Sequence, residues 1–476
     1  METEEVLEKQ EVLLKEQTNE PKENELGTQK IGKLIRKFAI PCILSLVVSA
    51  LYNIVDQIFI GQGVGTIGNT ATNIVFPVSV IAAAFSLMVG DGAAAFLSLS
   101  LGRKDTKNAS KGIASSITLT VILGVLFLIF GFVFKNPLLQ LFGVTEGSYT
   151  YSNEYMIWIL MGLPFAMFTN MMNSVIRADG SPKYAMVSTL VGCLLNMILD
   201  PIAIFVLKWG VTGAAVATVV GQLVSCIVSA LYIQKFKTIT MKKEDFKLNR
   251  KVLTKVCSLG VSSFITQISI TLVMIVMNHT LGSYGSVSKY GSDIPIAALG
   301  IVMKVNQIIT SIVVGIAVGA QPIVGYNYGA QKYDRAKKAY SISVRTAIAV
   351  TAFATVIFQL CPQVIINLFG QGDEIYNEFA QRCFKEFLIF TVLQGVQISS
   401  SIFLQSIGKP MKSAILSLSR QIIFLMPSLI IMPMIWGIDG VLHAGPTADG
   451  LAFVLAITLI TIEMKNIKKL EVQKNG

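Results

Sequence analysis

Twelve apolar stretches, each long enough to cross a bilayer, follow one another along this chain: 34–60, 72–98, 112–134, 152–176, 183–206, 211–235, 254–281, 296–320, 338–361, 383–404, 411–434 and 445–464. No other feature narrows the fold as far. Lipid offers no partner to a backbone N–H or C=O, so a spanning segment must satisfy its own hydrogen bonds. About 20 apolar residues in a helix cover the roughly 30 Å of hydrocarbon. Only 14% of the residues are charged and the mean hydropathy is +0.64, which excludes an ordinary soluble globule. The expected class is an all-α membrane protein.

Lysine and arginine sort by loop. One set of ends carries Lys33, Arg36 and Lys37, then Arg103, Lys104 and Lys107, then Arg177 and Lys183. The same side holds the run from Lys235 to Lys255, the cluster Lys332–Lys338, Lys409, Lys412 and the C-terminal lysines. The opposite ends carry only Lys135, Lys208, Lys289, Arg382 and Lys385. The positive-inside rule then places both termini and the central loop in the cytoplasm of a plasma membrane. The net charge of +11 is therefore a topology signal, and nucleic acid is not an expected partner. Nine glutamates in the first 25 residues predict an acidic cytoplasmic tail over 1–30, with no signal peptide. The six cysteines lack any CxxC spacing, and His279 and His443 are far apart, so neither a disulfide nor a metal centre is expected.

The chain also repeats itself at an offset of 227 or 228 residues. Leu141-Phe142-Gly143 matches Leu368-Phe369-Gly370, Gly102 and Ala109 match Gly329 and Ala336, Gly180 and Pro182 match Gly408 and Pro410, and Trp209-Gly210 matches Trp436-Gly437. The offset covers an even number of spans. Two six-helix lobes of parallel topology are predicted, 31–235 and 254–464, joined by a basic linker over 236–253 and followed by a cytoplasmic tail over 465–476. A central cavity between such halves, open alternately to each side, is the design of a secondary transporter. No G-x-x-x-x-G-K-[ST] run is present, so energy for uphill transport would come from an ion gradient.

Charges inside the spans mark the candidate site, because each costs at least a few kcal/mol there. The first lobe holds Asp56, Asp91 and Asp200 well within its spans. The second is expected to hold no acid at depth, with Glu386, Asp449 and Glu463 near span ends where they reach water. Asp56 and Asp200 fall at similar distances from the outer ends of spans one and five, and Thr218 at a comparable depth on span six. Tyr52 lies one turn below Asp56, and Asn196 one turn below Asp200 on the same face. Such oxygens suit Na⁺, and paired carboxylates in a low dielectric suit a shared proton equally. The same aspartates would also cap broken helices, since Pro201 follows Asp200. Asp91, within Gly90-Asp91-Gly92, is too deep toward the cytoplasm to join them and reads as either a packing or a gating residue. Lys304 either lines the cavity or snorkels; Arg420 either pairs with a carboxylate across the bundle or reaches the cytoplasmic side.

Several segments together resemble the multidrug and toxic compound extrusion (MATE) family, in its DinF-like branch of bacterial multidrug exporters. They are Leu51-Tyr52-Asn53-Ile54-Val55-Asp56, Leu101-Gly102, Arg177-Ala178-Asp179-Gly180, Leu195-Asn196-Met197-Ile198-Leu199-Asp200-Pro201, Gly213-Ala214-Ala215-Val216-Ala217-Thr218 and Ser419-Arg420-Gln421. The resemblance implies a twelve-helix, two-lobe antiporter around a central cavity. It implies export of organic, often cationic, drug-like compounds against inward Na⁺ or H⁺, with no other cofactor, by a monomer in the membrane lipid. It also implies a first-lobe cation site at Asp56, Asn196, Asp200 and Thr218, with Tyr52, Asn170 and Asn173 lining the cavity. The acids that the NorM-like branch carries in spans seven and ten are absent here, where Gln267 and Gln394 or Gln397 stand instead. The alternative of a lipid-linked sugar flippase would call for more cations at depth than Lys304 and Arg420. A membrane enzyme would call for a catalytic cluster at one depth.

Overall fold

The computed structural model describes residues 24–369 and 373–475. The acidic tail expected over 1–30 therefore lies outside the described residues as far as residue 23, as does Gly370 of the repeat.

The spanning segments form helices throughout. They are α1 (Ile31–Gly63), α2 (Ile67–Gly102), α3 (Thr106–Val133), α4 (Glu146–Ala178), α5 (Pro182–Val206), α6 (Gly210–Lys235), α7 (Arg250–Ser286), α8 (Asp293–Gly329), α9 (Tyr333–Leu360), α11 (Pro410–Trp436) and α12 (Ile438–Gln473). The tenth, α10, is broken: Glu374–Phe387 and Thr391–Ser406 meet at 51° where the sequence predicts one continuous span. The carbonyl freed at Lys385 accepts a hydrogen bond from Gln359 Nε2 at 2.9 Å, so a side chain of α9 satisfies what the helix gives up. Prolines sit inside α1, α2, α4 and α8 at Pro41, Pro77, Pro164 and Pro322. Serine and threonine hydroxyls return hydrogen bonds to carbonyls one turn back, as Ser45 does to Pro41 at 2.8 Å.

The repeat is written into the backbone. Left-handed residues recur at the same offset: Lys104 (φ 61°) with Gln331 (φ 56°), Gly180 (φ 88°) with Gly408 (φ 77°), and Gly210 with Gly437, both at φ 58°. Glycine carries no Cβ penalty in such turns. Repeat partners also meet at the junction of the lobes. A Cβ on Gly102 would stand 2.2 Å from the Tyr326 carbonyl oxygen, and one on Gly329 2.3 Å from that of Leu99. Beside this α2–α8 contact, α2 crosses α7 where a Cβ on Gly260 would meet the Met88 oxygen at 1.7 Å. In the matching place, α8 crosses α1 where Gly319 lies against Ala39. All these contacts lie in the halves of the helices nearest the basic loops. Toward the opposite ends, Leu51 and Phe76 are exposed. The two lobes thus pack closely on the basic side.

Two segments outside the spans are pinned. A helical turn, Glu25–Thr28, precedes α1. Its Leu26 carbonyl accepts from Asn327 Nδ2 at 2.9 Å and Arg335 Nη2 at 3.2 Å, and the Gln29 carbonyl accepts from Arg335 Nη2 at 2.6 Å. The start of the first lobe is therefore clasped by the α8–α9 corner of the second. The linker also packs down: Ser115 and Thr118 of α3 each donate at 2.8 Å to the carbonyls of Lys247 and Phe246.

Candidate functional site

Helix α5 supplies two polar residues one turn apart, Asn196 and Asp200, and α6 supplies Thr218. They meet because the two helices touch backbone to backbone. A Cβ on Gly192 would lie 2.6 Å from the Gly221 oxygen, and one on Gly221 2.7 Å from the Gly192 oxygen. With no side chains between the axes, Asn196 Nδ2 reaches both Asp200 Oδ1 and Thr218 Oγ1, each at 3.1 Å. Beyond Asp200, Pro201 lacks an N–H, and a π-helical turn, Ile202–Val206, takes up the register change. Asp56 comes in from α1, its carboxyl group within hydrogen-bonding reach of that of Asp200. Tyr52, one turn along α1, stands beside Thr218. Tyr155 of α4 completes the surroundings, near enough for both carboxylates to act on its hydroxyl. The sequence gives no sign of this residue, which is a buried aromatic among many.

The cluster is rich in acceptors and buried at α5 and α6, with Asp56 and Tyr52 half-buried at its edge. Asp200 is fully buried, and Asn196 and Thr218 are 2% and 7% exposed. Asp56 Oδ1, Asp200 Oδ2 and Asn196 Oδ1 are buried oxygens that accept no hydrogen bond within the protein. Among the described residues, neither aspartate has a basic partner. A buried carboxylate without a counter-charge is strongly disfavoured and must take up a proton or a cation. Carboxylate, amide and hydroxyl oxygens suit a small hard ion such as Na⁺.

The remaining candidates lie elsewhere. Asn173 is buried, and its Nδ2 donates to Thr189 Oγ1 at 3.0 Å, so it ties α4 to α5 two turns nearer the basic face than Asn196. Asn170 is half-buried on α4 one turn above Ser174, whose hydroxyl donates to its carbonyl at 3.4 Å. Lys304 is exposed on α8.

Asp91 is far from the cluster but well placed. Its Oδ1 accepts from Ser174 of α4 at 2.7 Å and its Oδ2 from Ser263 of α7 at 2.8 Å. Arg177 lies 4.0 Å away, and Gln405 of α10 holds Ser263 at 3.3 Å. The carboxylate therefore bridges the lobes near the basic side. The flanking glycines explain the approach: a Cβ on Gly90 would be 2.8 Å from the Met171 Cα, and one on Gly92 2.1 Å from the Val256 oxygen.

One expectation is overturned. Asp449 and Glu463 do not reach water; they are 3% and 1% exposed. Helix α12 starts at Ile438 and runs to Gln473, well past both ends of the predicted span, which leaves Asp449 deep in the lobe. There it accepts from Arg420 Nε at 2.7 Å and Gln394 Nε2 at 2.9 Å, so the carboxylate across the bundle is the partner Arg420 takes. Glu463 is paired with Lys412. The sequence marks Asp179 only as part of the Arg177-Ala178-Asp179-Gly180 turn. It accepts from Tyr232 at 2.6 Å, from the backbone N–H groups of Lys237 and Thr238 at 2.8 and 3.0 Å, and from the Thr238 hydroxyl. Burial pushes this carboxyl up from the usual range although all four donors pull it down.

A family model described as MatE matches residues 41–202 and 262–430. The chain is 24% identical over 434 residues to the multidrug export protein MepA of Staphylococcus aureus (strain MRSA252), covering 90% of this chain and 93% of that one. Among solved structures, the MATE multidrug transporter DinF-BH is 34% identical, with a TM-score of 0.85 over 93% of this chain and 97% of that one. The outward-facing conformation of a multidrug resistance MATE family transporter of the MOP superfamily superposes with a TM-score of 0.87 at 22% identity, over 93% and 98% of the two chains.

Proposed function

Since the chain belongs to the MatE family, we propose that it is a secondary active multidrug exporter in which Asp56 and Asp200 bind the coupling ion. The observation that carries the ion site is the set of three buried oxygens, on Asp56, Asp200 and Asn196, that accept no hydrogen bond. A Na⁺ or H⁺ entering there neutralises two carboxylates that otherwise have no counter-charge. The ion and the drug act on each other only through a difference in affinity between two conformations of the first lobe. Ion binding draws α1 toward α5 and α6; drug binding in the cleft favours the lobe without the ion. Antiport follows from that exclusion. The substrates are organic, often cationic, compounds held by apolar and aromatic side chains, which suits a site that tolerates many shapes. The basic face is the cytoplasmic one, as the loop lysines indicate, in the plasma membrane of a bacterial cell.

The test is transport in proteoliposomes with Na⁺ and pH gradients imposed separately. Asp56→Asn and Asp200→Asn are expected to lower gradient-driven export by about 5–150-fold, the span of a coupling of roughly 1–3 kcal/mol. Unchanged efflux and unchanged ion dependence in both variants would overturn the assignment. The gradient that drives the wild-type protein names the ion.

A further inference from the structure

The two lobes repeat one another in backbone, yet they treat buried carboxylates in opposite ways. In the first lobe, Asp56 and Asp200 face each other with no basic group among the described residues to pair with them. In the second, Asp449 of α12 is held by Arg420 of α11 at 2.7 Å and by Gln394 of α10 at 2.9 Å. Helices α11 and α12 are the repeat counterparts of α5 and α6, which build the first-lobe cluster. Helices α5 and α11 both contain a π-helical turn, at different positions along the repeat. Helix α5 ends in the π-helical turn Ile202–Val206, just past Asp200, and α11 contains the π-helical turn Ser419–Leu425, which carries Arg420. Such turns break helical register and are common at functional positions.

The pair is built to persist. The Asp449 side chain is 1% exposed and that of Arg420 16%. A guanidinium does not lose its proton under any condition a cell meets. Its planar fork satisfies a carboxylate better than an ammonium does. Separating either partner would leave a buried lone charge, at a cost that keeps the contact closed through a transport cycle. The attraction therefore does not switch, in contrast to an ion that arrives and leaves.

We propose that Arg420 is a tethered cation, which neutralises the buried carboxylate of the second lobe as the exchanged ion neutralises Asp56 and Asp200 in the first. Only the first lobe then exchanges ions, and the second is fixed in its charge-neutral state. The corollary names a latent site. Without the guanidinium, Asp449 is a buried carboxylate beside the Gln394 amide that takes up a free monovalent cation or a proton. This inference rests on the first-lobe ion site proposed above.

The experiment measures the ion-to-drug ratio from reversal potentials of the full-length protein in liposomes. Arg420→Met is expected to move one more cation per drug molecule than the wild type, and Arg420→Met/Asp449→Asn to return to the wild-type ratio. Asp449→Asn alone is expected to leave the ratio unchanged. An Arg420→Met protein that transports with the wild-type ratio would overturn the proposal. If that variant does not fold, Asp449→Asn decides alone: a changed ratio would mean that Asp449 already exchanges an ion, and the proposal fails. Asp56→Asn separates the two readings. Persistence of full ion coupling in Asp56→Asn sinks the first-lobe site itself, whereas its loss there with no gain in Arg420→Met sinks only the tethered cation.

Discussion

At the scale of single residues, the governing quantity is the cost of a polar group in a dry place, and the protein meets it in three ways. Asp56 and Asp200 leave acceptors bare, Asp449 takes a guanidinium, and Asp179 takes four donors. The last gives a direct test. In Asp179→Ala, the Tyr232 hydroxyl and the Lys237 and Thr238 N–H groups lose a buried partner. Leaving a buried donor unsatisfied costs about 1–3 kcal/mol. The variant is expected to melt several degrees lower in detergent, and limited proteolysis should cut it first near residues 236–240, where the linker leaves α6. A melting temperature equal to that of the wild type would show that the linker is held by other contacts. The Asp179 anchor was partly legible in the sequence, as part of a recognisable turn. Its partners were not, because Lys237 and Thr238 lie 58 and 59 residues away.

At the scale of helices, the fold turns on contacts that only glycine permits. Gly260 is the sharpest case, since any Cβ would sit 1.7 Å from a backbone oxygen, and no rotamer relieves a clash with backbone. Gly260→Ala is expected to push α7 away from α2. Overpacking of this kind costs about 1–3 kcal/mol, which shifts a two-state balance by roughly 5–150-fold. Cysteines introduced near Ser263 should become reactive toward a membrane-impermeant thiol reagent applied from the basic side. If labelling stays at the wild-type level, the α2–α7 crossing does not seal the cleft. Helix pairing of this sort was half visible beforehand. Gly102 and Gly329 stand out as repeat partners in the sequence, but their mutual contact depends on how the lobes pair.

For the whole molecule, polar ties cross between the lobes on the basic side, two of them through buried or half-buried charges. Asp91 joins α2 and α4 to Ser263 of α7, and Arg335 holds the turn before α1 against α8 and α9. Both must release if the cleft is to open on that side. Asp91→Ala removes the acceptor while leaving Ser174 to Arg177, 2.9 Å away. It is expected to raise the population open on the basic side and to slow export. Arg335→Ala is expected to act in the same direction. The double variant should show more opening than either alone, because the ties share no residue and distant effects add. Distances between spin labels on the basic ends of α3 and α9 would report the shift, and an unchanged distribution in the double variant would remove both ties from the gating scheme.

What the sequence determined by itself was set by the solvent: the helices, their number and the two-fold repeat. Lipid forces a backbone to satisfy itself, which leaves its mark on consecutive residues. The sequence also placed Asp56, Asp200 and Thr218 at a similar depth, with Asn196 one turn below Asp200, since rise per residue is fixed in a helix. Tertiary structure alone decided which charges are bare and which are paired. Asp449 and Asp200 are both acids within apolar segments, and nothing in either segment names a partner. One faces Arg420 and the other a second carboxylate because of how α11 and α12, or α1, α5 and α6, turn toward each other. The same holds for Asp91, whose bridge to Ser263 spans 172 residues of chain. Depth is a property of one helix, and partnership is a property of two.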